Sequence, residues 1–453
     1  MTPDICRADT GLTDPEAVMA WDRMVRAFLA HGAATPTHLA RVLEREPDAA
    51  LPHAARGLFC LMLGRREMVT AAQAAADAAR RALDAGGAPL RARAYVAALQ
   101  DWLAGSPGCA IFHLEGVLAQ NPADTLTMKV IHGIRFMIGD SAGMRRSVER
   151  ALTGHGADHP LRGYVLGCHA FTLEETGDYA AAEAAGRQGL ALTGDDAWGL
   201  HAVAHVHDMT HRPAEGIAFL DAHEAAWGHC NNFRFHVWWH KALLHLDQGD
   251  HARVLNLYDA QIRAEKTDDY RDLSNATSLL MRLELEGVAV GDRWSELADL
   301  AENRVTDGCL VFADLHYMLA LTGDARADAA QRLVGRMAAT GAETSEPGRV
   351  AAHPGLAAAE GLAAFGAGRY GRAFTRLQAA RSTLITIGGS HAQRDVFERI
   401  TVDAGLRAGR FDATAAILAE RTALRSGRAD RFAQTRTAQL EALRRAASVC
   451  AAE

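Results

Sequence analysis

The chain has 453 residues, 49% of them hydrophobic, 23% charged and 6% aromatic, with 48 Lys and Arg against 55 Asp and Glu for a net charge of −7. This ordinary globular composition excludes a disordered or fibrous protein. The acidity is mild and spread without blocks of like charge, so it leaves no footprint for a phosphate backbone or an anionic bilayer surface, and no apolar run nears the roughly 20 residues that span a membrane. Neither nucleic acid nor membrane is therefore expected as a partner.

The opening residues, MTPDICRADTG, carry acids where a signal peptide needs an apolar stretch, and the expected location is the cytoplasm. Seven cysteines (Cys6, Cys60, Cys109, Cys168, Cys230, Cys309, Cys450) are scattered and never form C-x-x-C, a pattern of reduced thiols rather than of disulfides or zinc knuckles. Histidine is distributed unevenly. Ten of its 21 occurrences fall between His201 and His251, where an even spread would place about two.

In chain order, helix, glycine turn and Ala-rich helix recur: LMLGRREM, FMIGDSAGM, EETGDYAAAEAA, LDQGDHARVL, ALTGDARADAA, AFGAGRYGRAF and LRAGRFDATAAI. The turns begin at Gly64, Gly139, Gly177, Gly249, Gly323, Gly368 and Gly409, and weaker ones at Gly105, His211 and Gly291 fill the gaps, giving intervals of 32 to 45 residues. Helix-turn-helix solenoids have this period, with about 34 residues for a tetratricopeptide repeat. Glycine takes the left-handed residue that ends one helix, and alanine on the next lets the pair approach closely. Apolar positions between turns follow helical spacing, and no stretch alternates as a strand does. The sequence thus predicts an all-α chain, a right-handed α-solenoid of stacked helix-turn-helix repeats running over 1–453 as one body. The one candidate break is the Gly, Pro, Ser and Thr cluster from Gly341 to Gly355, which would otherwise be a long inter-helix loop.

Several separated motifs carry a resemblance: AFTLEETGDYAAAE from Ala170, WGLHAVAHVHDM from Trp198, NNFRFHVWWHKALLHLDQGD from Asn231, LYD from Leu257 and GGSHAQRDVF from Gly388. In order and spacing the chain resembles the tetratricopeptide repeat protein 38 family over most of its length. It departs at RARAYVAAL (Arg91 to Leu99), where the family tends to show an acid and a His, and at His132-Gly133, where His-Asp is usual. The resemblance implies stacked repeats whose first helices line the concave side, and it implies little about activity.

His201 and His205 are four residues apart, as are His236 and His240, so each pair projects from one helix face. Their mutual offset is 35 residues against 38 between the corresponding turns, which sets the pairs about one helical turn out of level. Two readings stay open. In one, the imidazoles and Trp239 line a concave groove that binds a protein partner or a small polar ligand. In the other, His201, His205, His236 and His240 hold a transition metal such as zinc, iron or copper, with Glu174 or Asp208 as the base of a metal-dependent enzyme acting on a small molecule. The spacing H-x-x-x-H lacks the Glu of the H-E-x-x-H protease signature. A structural role is the alternative to both, with the imidazoles as satisfied hydrogen-bonding groups among core tryptophans.

Gly388 and Gly389 permit a tight turn, Ser390 can cap the following helix, and His391, Arg394 and Asp395 project from its first turns. That arrangement suits an anionic group on Arg394, or alternatively a cap with an Arg-Asp pair bracing two repeats. There is no G-x-x-x-x-G-K-S/T loop, no G-x-S-x-G elbow and no strand-borne G-x-G-x-x-G, so nucleotide hydrolysis, α/β-hydrolase chemistry and Rossmann redox have no support.

Overall fold

The computed structural model describes residues 3–450, with side chains to 449, and their ordered elements are helices. The single departure from helix and turn is an isolated antiparallel bridge between Gly32 and Cys230. No described helix is long and apolar enough to cross a membrane.

The glycine rhythm becomes helical hairpins. Gly139 closes the helix Thr125–Ile138 in the left-handed conformation (φ 72°), and the next residue, Asp140, caps Ser141–Leu152 by accepting from the Gly143 amide. Gly249 (φ 76°) and Asp250 repeat the device ahead of His251–Leu257. A Gly-Asp turn therefore satisfies the ends of two helices at once. Nine of the ten predicted turn positions, His211 among them, have positive φ. At the tenth, Gly323 ends its helix with its Cα against the Trp294 ring, and Ala325 takes the left-handed role (φ 54°).

The chain divides into two compact units. The first comprises the residues up to Val203 with His223–Arg234 and Thr344–Pro347; the second comprises Ala204–Ala222, Phe235–Glu343 and the chain from Gly348 onward. In the first, Ala50–Met62 pairs with Arg66–Asp84, Leu90–Leu103 with Pro107–Gln120, and Arg162–Glu175 with Tyr179–Leu192. Ala72, Ala75, Ala76 and Ala79 make the buried stripe of Arg66–Asp84, small enough for close helix approach. The first helices of successive pairs also pack on one another, Ala50–Met62 on Leu90–Leu103 and Thr125–Ile138 on Arg162–Glu175. The Gly341–Gly355 stretch is no plain linker: Glu346 bonds through its amide to the Gly105 carbonyl (3.0 Å) and accepts from the Gly108 amide (3.1 Å), capping Pro107–Gln120 from outside.

In the second unit Tyr270–Leu285 packs on Val311–Gly323, that helix on Leu356–Gly366, and that one on His391–Arg407. The series then closes, because His391–Arg407 packs back against Tyr270–Leu285 and Arg282 Nη2 donates to the Ala392 carbonyl at 2.7 Å. Where the sequence predicts a concave groove, the inner helices of this unit meet around a shared interior. Its apolar part runs through Leu279, Leu315, Met318, Phe397 and Ile400. Gly389 lies at the seam with φ +75°, and a Cβ there would come within 2.5 Å of Phe312. Gly389→Ala is expected to lower urea-unfolding stability by roughly 1–3 kcal/mol through overpacking, whereas Gly368→Ala, which meets no atom within 4 Å, bears only the φ penalty.

Candidate functional site

The second unit gathers three of the predicted histidines. His205 projects from Ala197–Met209, and His236 and His240 project from Phe233–Asp247. Their ligand nitrogens lie within 4.8 Å of one another. Nε2 of His240 is 3.2 Å from Nε2 of His236, and the His205 and His240 rings are 4.3 Å apart at their centroids. His205 and His240 thus stand level. The helix Ala197–Met209 has 13 residues and Phe233–Asp247 has 15, and the extra length falls after His240, beyond the pair.

Asn275 fixes one imidazole. Its Oδ1 accepts from His236 Nδ1 at 2.8 Å, which puts the proton on Nδ1 and the lone pair of the neutral ring on Nε2. Burial, opposed only in part by that bond, pushes the His236 pKa down to about 3, so the ring is neutral at physiological pH. An amide oxygen that accepts from the far nitrogen of a histidine and so orients its ring is the usual support of a metal ligand. His391 adds a fourth imidazole from the first turn of its helix, with a nitrogen within 4.8 Å of one on His205 and ring centroids 6.2 Å apart.

His201, the remaining member of the predicted set, belongs to the first unit. There it is buried among aromatic rings, with centroids 5.0 Å from Trp198, 5.3 Å from Phe233 and 5.7 Å from Phe171. Glu174 is also a fully buried residue of the first unit. Asp208, in the second unit, is engaged by Arg425, whose Nη2 donates to its Oδ1 at 2.8 Å and to its main-chain oxygen at 2.5 Å. Trp239 stacks on His236 at 5.2 Å and meets the edge of His240 at 4.8 Å.

The GGSHAQRD segment forms the predicted cap. Ser390 accepts from the Gln393 amide, and the Gln393 side chain accepts from the Ser390 amide, a reciprocal capping box. Arg394 turns back and donates through Nη1 to the carbonyls of Gly388 and Gly389. Asp395 braces neighbouring helices, accepting from Arg399 Nε at 2.6 Å and Arg421 Nε at 2.8 Å. A cavity of about 200 Å³ opens beside this turn, lined by His391, Arg394, Phe397 and Thr401 and faced by Leu377 and Arg381.

Three functional candidates are absent from the sequence reading. Asn275 and Arg282 lie seven residues apart on one face of Tyr270–Leu285, and His316 projects from Val311–Gly323. Arg282 is 1% exposed, sits 5.4 Å from the Trp239 ring and donates to the carbonyls of Ser278 and Ala392. Burial, with Arg399 close by, pushes its pKa down to about 9. His316 gives Nδ1 to the Phe312 carbonyl at 2.7 Å, and burial takes its pKa down to about 3. Trp239, read in sequence as a ligand contact, adds a buried indole N–H. The signal available in sequence was the polar run Ser274-Asn275-Ala276-Thr277-Ser278 inside an otherwise apolar helix, with Arg282 on its face.

No protein-family profile matches the chain. Among solved structures it is similar to one described as "Structure of Naa15/Naa10 bound to HypK-THB", at 11% identity over 89% of this chain and 68% of that one, with a TM-score of 0.25. So loose a likeness carries no argument about shape or partner. What the coordinates themselves define is an all-helical protein of stacked hairpins in two units, with a histidine cluster inside the second.

Proposed function

We propose that the protein is a helical-repeat metalloprotein in which His205, His236 and His240 hold one transition-metal ion, zinc, iron or copper, and a small polar ligand meets it at the remaining position. The observation that carries this reading is the 3.2 Å approach of two imidazole Nε2 atoms, one of them fixed as a lone-pair donor by Asn275. Ligand nitrogens about 2.0–2.1 Å from a tetrahedral ion are about 3.3–3.4 Å apart. Three imidazole nitrogen donors suit a borderline ion and leave coordination free for water or substrate. Membership in the tetratricopeptide repeat protein 38 family belongs to the same proposal, since its H-A-x-A-H and H-x-x-W-H elements supply the three ligands.

The test is elemental analysis of untagged protein prepared without chelator, for wild type and for the His205→Ala, His240→Ala double variant. The expected result is about one metal ion per chain in the wild type and none in the variant, with unchanged helical circular dichroism. Wild-type protein that carries no metal and takes up neither zinc, copper nor ferrous iron on dialysis overturns the proposal. The 200 Å³ cavity beside Arg394 would then support the second reading, a metal-free module recognising a small polar ligand.

A further inference from the structure

Among the side-chain polar atoms that the second unit buries without a hydrogen-bond partner are four on Phe233–Asp247, Tyr270–Leu285 and Val311–Gly323: Asn275 Nδ2, Trp239 Nε1, Arg282 Nε and His316 Nε2. Buried polar groups are ordinarily satisfied, so four together call for an explanation. The first three are donors that cannot accept. They are also neighbours. Asn275 bonds His236 at 2.8 Å, Trp239 stacks on the same His236 at 5.2 Å, and Arg282 stands 5.4 Å from the Trp239 ring.

The charge around them points the same way. The carboxylate nearest to Arg282 is Asp395 at 3.9 Å, beyond hydrogen-bond distance, and Asp395 is already shared by Arg399 and Arg421. The interior network sets Arg282, Arg399, Arg421 and Arg425 against Asp395, Asp430 and Asp208. Within it Arg282 alone has no carboxylate within hydrogen-bond distance, and a buried charge without a close counter-ion is unfavourable. Ala392 connects the two features: its carbonyl holds Arg282, and the residue lines the 200 Å³ cavity, whose wall joins Leu377, Leu384 and Phe397 to the charged Arg381, Asp395 and Glu398. The apolar part of that wall, beside a donor-rich interior that holds the Arg282 guanidinium, fits a small organic anion better than an inorganic one.

We propose that this site binds a short monocarboxylate, its oxygens received by Asn275 Nδ2, Trp239 Nε1 and Arg282 Nε and its apolar end lying toward the cavity. The inference deepens the metalloprotein reading, for which the carboxylate would be the ligand meeting the ion. Its donors belong to the protein alone, however, so it can be tested separately.

The experiment is calorimetric titration of the full chain with butyrate, with butyramide as the neutral isostere and inorganic phosphate as the competing anion, on metal-loaded and on chelator-treated protein. The expected result is saturable butyrate binding at least tenfold tighter than either comparison. Asn275→Asp keeps an oxygen acceptor for His236 and replaces the Nδ2 donor with a second carboxylate oxygen, so butyrate affinity should fall at least tenfold. Trp239→Phe keeps the ring and loses the N–H; it should weaken binding several-fold and serves where Asn275→Asp fails to fold. Equal affinity for butyrate and butyramide, phosphate binding more tightly, no butyrate binding in either preparation, or unaltered affinity in a folded variant overturns the inference. Butyrate binding to a protein that never takes up metal, lost in Asn275→Asp, upholds it while the metal reading fails.

Discussion

Replacing Asp395 with Ala lowers the stability of the second unit by about 3–5 kcal/mol, because it removes the acid from a buried ion network and leaves the cations behind. Asp395 takes Arg399 and Arg421 on its two oxygens. Arg421 also bridges to Asp430 with both terminal nitrogens, at 2.7 and 2.6 Å. Burial alone would raise the Asp395 pKa, but Arg421 and Arg399 overcome it and hold the carboxyl well below the usual range. Asp430 is held low in the same way, by Arg421 and Arg425. Arg394→Ala removes the hydrogen bonds to the Gly388 and Gly389 carbonyls, worth about 0.5–1.5 kcal/mol each. Urea unfolding of both variants, followed by circular dichroism, decides the point. A loss for Asp395→Ala no larger than that for Arg394→Ala would mean that the carboxylate does not brace the helices.

That contrast shows what local sequence could and could not convey. The cap at Ser390, the Gly388-Gly389 turn and the hairpin rhythm are decided by residues a few positions apart, and the structure forms them as read. At Gly323 the helix ends where the turn is read, while the left-handed residue is Ala325, and the Trp294 ring standing where a Cβ would be is a contact no turn pattern encodes. The i, i+4 pairs His201/His205 and His236/His240 were visible as helix faces, and His205, His236 and His240 do come together. The closure of Tyr270–Leu285 on His391–Arg407 joins residues 110 positions apart. Repeat periodicity describes contacts between neighbouring pairs, so a concave groove was the natural expectation. It was this closure that buried Arg282 and made its surroundings a donor-rich interior.

The first unit should show two opposite pH dependences when its buried pair of titrating groups is separated by mutation. His132, 1% exposed and with no partner on either ring nitrogen, has its pKa driven well below normal by burial, with the charge of Lys129 adding to the effect. Asp196, equally buried, caps the helix Ala197–Met209 by accepting from the Gly199 amide, and burial raises its pKa to about 7. Unfolded, the two groups titrate near 6.5 and 3.9. Between about pH 6.5 and pH 4.5, then, the folded state holds a proton on Asp196 while the unfolded state holds one on His132. Proton uptake is balanced, and the pair gives the wild type almost no slope. In His132→Phe only Asp196 remains, the folded state binds the extra proton, and stability relative to wild type rises by about 1.4 kcal/mol for each pH unit of acidification. In Asp196→Asn only His132 remains. Its contribution is fully present above about pH 6.5, and stability relative to wild type falls by about the same amount per unit as the pH drops. Across two pH units the variants should diverge from each other by about 5 kcal/mol, read as opposite drifts of their urea midpoints against wild type. Parallel drifts would show that the two groups do not titrate as a buried His and a buried Asp, and that Lys129, which stands 4.3 Å from the Trp198 ring and 3.7 Å from Cys168, neutralises Asp196 in the folded state.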